Sequence, residues 1–146
     1  MKHLYSLLCE KVIKDAESFS VSFINLFEKL TVNLEQKDNE TSPIVFIPYK
    51  HELVICWQIQ DSSIDKREIE LEVHVLDPSN NSIGTMPITF EASAQGKTLR
   101  VNIRLDGIPV STSGDYLMKV VQKEGQDNTV LSEIPFEIEI HRKVTA

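Results

Sequence analysis

The sequence predicts an all-β protein, a single antiparallel β-sandwich of about eight strands. Three observations carry that expectation. Apolar and polar residues alternate with period two over much of the chain, as strands with one buried face require. Clusters of Gly, Asn, Asp and Ser separate the alternating runs. No strong helical segment stands between the runs, so the strands must cover one another.

The elements follow in chain order. "LYSLLCEKVI" predicts a first strand over about Leu4–Ile13, and "KDAES" a polar turn. A second strand is expected over about Phe19–Val32. Phe23, Leu26, Phe27 and Leu30 also fit one face of a helix, so a helix within residues 1–30 is the alternative. "NLEQKDNETSP", Asn33 to Pro43, reads as a long exposed loop. "IVFIPYK" comes next, bracketed by Pro43 and Pro48, as either a closing strand or a segment that presents aromatics to a partner.

"ELVICWQI" sets Leu53, Ile55, Trp57 and Ile59 on one face. Val54 and Cys56 make its second face apolar as well, which suits a central or covered strand. "EIELEVHVL" alternates most cleanly: Ile69, Leu71, Val73 and Val75 inward, Glu68, Glu70, Glu72 and His74 outward. Pro87 in "IGTMPITF" requires an edge or a bulge. "TLRVNIRL" points Leu99, Val101, Ile103 and Leu105 inward and Arg100, Asn102 and Arg104 outward. "YLMKVV" and "IPFEIEI" complete the set. One domain is expected over residues 1–141, with 142–146 as a short tail.

Composition narrows the function. The net charge of -7 argues against nucleic acid, which demands concentrated Lys and Arg. "MKHLYSLLCEKV" is too short in its apolar run for a secretory signal, and nothing approaches the length of a membrane helix. Cys9 and Cys56 both lie in apolar runs and read as buried free thiols. A cytoplasmic protein is therefore expected, with no membrane association. His3, His51, His74 and His141 have no metal-ligand spacing, and no catalytic motif is present, so neither enzymatic activity nor a cofactor is expected. Asp77, Asp106 and Asp115 provide few carboxylates for calcium, and Asp77 in "DPSNNS" is explained by turn chemistry.

The remaining expectation is a non-enzymatic protein-interaction or accessory module. If strands alternate in direction, residues 31–49, 77–82 and 106–115 collect at one end. Candidate partner-binding residues there are Phe46, Tyr49, Asn80, Asn81, Ile108 and Pro109. A small-ligand or carbohydrate-binding sandwich is the alternative, with a calcium module or an unrecognised enzyme behind it. The partner is expected to be another protein, or a second copy joined through a sheet edge.

"LLCEKVIKDAESFSVSFINLFEKL", "GIPVSTSGDYLMKVV" and the closing "IPFEIEI" make the chain similar to an uncharacterised bacterial family of small β-sandwich proteins, a conserved domain of unknown function. That resemblance spans most of the length and implies a sandwich, with no catalytic residue. Trp57, Gly114 and Tyr116 add a broader resemblance to immunoglobulin-like domains. It implies a core Trp and a tyrosine corner. Met118 stands where those domains carry a Cys, and Thr112 where they carry an Asp.

Overall fold

A computed structural model describes residues 1–18, 20–37, 44–59, 67–92 and 97–145. Among these are nine strands and no helix: β1 (Lys2–Lys14), β2 (Val21–Leu26), β3 (Lys29–Lys37), β4 (Val45–Gln58), β5 (Arg67–Leu76), β6 (Ser82–Ala92), β7 (Thr98–Val110), β8 (Gly114–Glu124) and β9 (Asp127–Thr145). They form two facing sheets, β2-β1-β4-β7 and β3-β9-β8-β5-β6. The expected sandwich is present. All pairs are antiparallel except β3 with β9, which run parallel from Lys29↔Glu137 to Lys37↔Thr145. Residues 142–145 are thus strand rather than tail.

The first third differs most from expectation. The single second strand is two strands in different sheets, broken at Phe27 and Glu28. The Phe27 N–H donates to the Leu8 carbonyl, holding it to the first sheet, and the Glu137 N–H donates to the Glu28 carbonyl, holding it to the second. No Gly or Pro marks the crossing. Asn33 to Lys37 extend β3 instead of opening a loop, because β9 supplies their ladder. The remainder of the expected loop, 38–43, lies outside the described residues, as does Phe19. "IVFIPYK" is the first half of β4, continuous with "ELVICWQ" despite a register shift between Pro48 and His51.

β4 is buried on both faces. Leu53, Ile55 and Trp57 join the core, while Val54 and Cys56, on the opposite face, are 0% and 2% exposed. The β1–β2 hairpin folds back over that outer face and covers it. Phe23, paired with Val12, reaches Tyr5 with ring centroids 6.2 Å apart. The Val12 N–H donates to Glu52 Oε2 at 2.7 Å, and Val12, Lys14 and Val21 line one open groove with the exposed Thr98, Arg100 and Asn102.

The core between the sheets comes from alternate residues of both. Ile69, Leu71, Val73 and Val75 of β5, Tyr116, Met118 and Val120 of β8, and Phe136 and Ile138 of β9 meet Leu53, Ile55 and Trp57. Pro87 sits on β6, an edge strand, and Pro135 on the stretch of β9 that β3 does not reach, where a missing N–H breaks no ladder.

Tyr116 fixes the β7–β8 turn. Its ring is fully buried and stacks on Phe136 at 5.5 Å. Its hydroxyl accepts from the Ser111 N–H at 2.9 Å and the Thr112 N–H at 3.1 Å, and donates to the Thr112 carbonyl. Gly114 precedes it at φ 144°, where an added Cβ would meet Pro78 Cγ at 2.8 Å. Tyr116→Phe strands the buried Ser111 N–H and removes the acceptor of the partly buried Thr112 N–H, so urea unfolding should register a loss of about 1–3 kcal/mol with an unchanged m-value. A variant as stable as wild type would remove the hydroxyl from this role.

Candidate functional site

Phe46, Ile108 and Pro109, three of the six expected partner-binding residues, meet at one cleft. It has a volume of about 580 Å³ and opens between the edge strands β6 and β7. Its floor is Val73, Val75 and Met118 from the core, and its walls include Ile83, Met86 and Leu105. The β4–β7 register creates this grouping, because Phe46↔Pro109 and Ile47↔Ile108 are direct partners.

Phe46 is 64% exposed, the most open of the large apolar side chains among the described residues. Its ring occupies the space above the Gly107 backbone that a Cβ would fill, so only glycine fits there. Gly84 of β6 likewise lets Pro109 Cγ approach within 2.8 Å of where its Cβ would stand. The two edges therefore touch at Gly84 and Pro109.

Ile108 corrects the expectation of an exposed loop residue: it is 0% exposed and belongs to the core. Its position in β7, an apolar run with Pro109 and Val110, turns it inward opposite Ile47. Tyr49 is also not presented to solvent. Its half-buried ring packs on Phe27 and His51, each with centroids 5.3 Å away, at the side of the sandwich where the chain changes sheet. Asn80 and Asn81 are exposed in the β5–β6 turn. Asn80 takes φ 65°, and Asp77 Oδ1 accepts from the Ser79 and Asn81 N–H groups, both at 2.9 Å. That turn borders a second, more open groove of about 830 Å³, lined also by Leu26, Asp115 and Leu117.

The titratable groups are dispersed. Among the described residues no three His, Cys, Asp or Glu side chains converge as metal ligands. Asp77 is engaged by its own turn, and Asp106 lies on β7, not in a loop. Cys9 and Cys56 are free and buried, and they pair with Glu52 and Tyr5 respectively, not with each other. Burial, then the Glu52 carboxylate, push the Cys9 thiol up and keep it protonated. Glu72 links His74 at 2.7 Å and Lys123 at 2.5 Å on the outer face of the second sheet.

The sequence gives His51 no metal-ligand spacing and no sign of its burial. It is 1% exposed and faces Phe27 at 5.6 Å. Its Nδ1 donates to the Tyr49 carbonyl at 2.8 Å, because a carbonyl only accepts, and Nε2 is buried with no partner among the described residues. Burial lowers its pKa, partly offset by the Tyr49 bond. The folded state thus binds the proton less readily than the unfolded chain. Stability should hold above the unfolded value of about 6.5 and fall as pH drops below it, by up to about 1.4 kcal/mol per pH unit. Denaturation midpoints at pH 7.5, 6.5 and 5.5 check this. A His51→Phe variant should lose that part of the slope.

Among the described residues, no helix is long and apolar enough to cross a membrane. No family model matches the chain, and no curated protein matches it. Among solved structures, the chain is similar to the soluble domain of PmoD from Methylocystis sp. ATCC 49242 (Rockwell), with 9% identity, a TM-score of 0.35, and coverage of 94% of this chain and 96% of that one.

Proposed function

We propose that the chain is a non-enzymatic, cytoplasmic protein-interaction module. It is a member of the uncharacterised bacterial family of small sandwich domains and is built on an immunoglobulin-like plan. The observation that carries the functional reading is Phe46, held open at the lip of an apolar cleft between two sheet edges. An aromatic beside a pocket that reaches the core is how interfaces anchor a partner. Held by the register of β4 and β7, the cleft is a preformed surface.

Several features support the immunoglobulin-like plan. An early segment crosses from one sheet to the other and then runs parallel to the last strand. The order β9-β8-β5-β6 matches the G-F-C-C′ sheet of variable-type domains, and Tyr116 forms the corner on the penultimate strand. Trp57 departs from the plan by lying on β4 rather than β5. A second reading places a small apolar ligand in the same cleft, whose volume is in the usual range for one.

Phe46→Asp tests the reading. The substitution falls on an exposed side chain, so the fold should survive with a melting temperature near that of wild type. Affinity capture from the native cytoplasm should recover a stoichiometric protein with wild type and lose it with Phe46→Asp. A monomer that captures nothing would overturn the proposal. A cleft that instead co-purifies with a small molecule, lost in the same variant, would favour the second reading.

A further inference from the structure

The cleft is one end of a longer opening. Along β7, Leu99, Val101 and Ile103 are in register with Trp57, Ile55 and Leu53 and so face the core, yet none of the three is buried. Across from them, Met86, Ile88 and Phe90 of β6 are in register with Val73, Leu71 and Ile69 and are likewise only partly buried. Their counterparts on β4 and β5 are all buried. Among the described residues, no further strand covers these core-facing side chains of the two edge strands.

Among the described residues β7 pairs with β4 alone, which leaves its other backbone edge for such a strand to pair on. From Thr98 to Asp106 it contains no Pro or Gly, whereas β6 carries Pro87 and the free half of β9 carries Pro135. Its outward side chains set a charge pattern. Arg104 makes no hydrogen bond or ion pair among the described residues, and Arg100 bonds only the Tyr5 hydroxyl at 3.2 Å, while Asp106 closes the row. In a chain of net charge -7 this is a local basic stripe.

We infer that β7 takes a partner strand: an extended segment whose apolar residues alternate with acidic ones, added antiparallel so that the acids oppose Arg100 and Arg104 and the apolar residues cover Leu99, Val101 and Ile103. This rests on the interaction reading and names the partner's chemistry. Main-chain bonds supply affinity in such additions, and alternate side chains supply specificity. Opposite charges directly across strands stabilise the pair, and like charges oppose it. A second copy fits less well. The antiparallel register that overlaps Thr98–Asp106 fully would set Arg100 against Arg104 of that copy.

The probe is an acetylated peptide in which valine alternates, in order, with lysine, glutamate, threonine, glutamate and threonine. Hydrogen exchange on the whole chain should show new protection at amides of Thr98–Asp106. Arg100→Glu and Arg104→Glu should each weaken binding about fivefold. A peptide with its charges reversed should bind the double variant better than it binds wild type. The inference is overturned if millimolar peptide leaves these amides unprotected, if protection appears on β6 or β9 instead, or if the free protein is a dimer with Thr98–Asp106 already protected. If Phe46→Asp still abolishes partner capture while the peptide does nothing at β7, strand addition falls and the interaction reading stands.

Discussion

Phe27 and Glu28 tie the two sheets together through the main chain, and most of the architecture depends on that tie. The Phe27 N–H bonds the Leu8 carbonyl, the Glu28 carbonyl accepts from the Glu137 N–H, and adjacent residues are therefore held to different sheets. The Phe27 ring fills the gap that the crossing leaves, against Tyr49, His51 and Phe136. Because the chain crosses here, this side of the sandwich is closed by covalent structure and aromatic packing. The chain also changes sheet on the β6 and β7 side, between Ala92 and Thr98, but no aromatic cluster packs there among the described residues, and the two edge strands meet at Gly84 and Pro109.

That asymmetry organises the surface. The closed side accepts a buried histidine with an unpartnered nitrogen, a cost tolerated because the aromatic packing there is extensive. The open side exposes core-facing apolar residues and an unblocked edge, features that proteins without a partner usually cover or charge. The first sheet is protected differently, by its own β1–β2 hairpin, which spares Val54 and Cys56 from water.

Much of the fold was legible because half-buried antiparallel strands write their faces into alternation. Ile69 to Val75 and Phe136 to Ile140 did so, and the apolar pair Val54 and Cys56 rightly signalled a covered second face. The crossing at Phe27 was not legible, since β-compatible residues lie on both sides and the break is made by partners distant in sequence. Polar "NLEQK" hid β3, because its ladder depends on β9 rather than on its own burial. The site was read in part. Phe46 and Pro109 stand out from their loops, but the sequence gives no sign that Ile108 is buried, because only the β4–β7 register decides which way it points.

The parallel pairing of β3 with β9 has a consequence for synthesis. Leu30, Val32 and Leu34 leave the ribosome about a hundred residues ahead of the strand that completes their ladder. Until then the nascent chain holds an unfinished sheet, with an apolar face and a row of unbonded amides available to any neighbour. The polar side chains Thr31, Asn33 and Glu35, alternating with the apolar ones, keep that interval soluble. A truncation that removed residues 137–145 would therefore leave β3 without its partner rather than merely shorten a terminus, and its product is expected to collect in chaperone-bound or aggregated fractions.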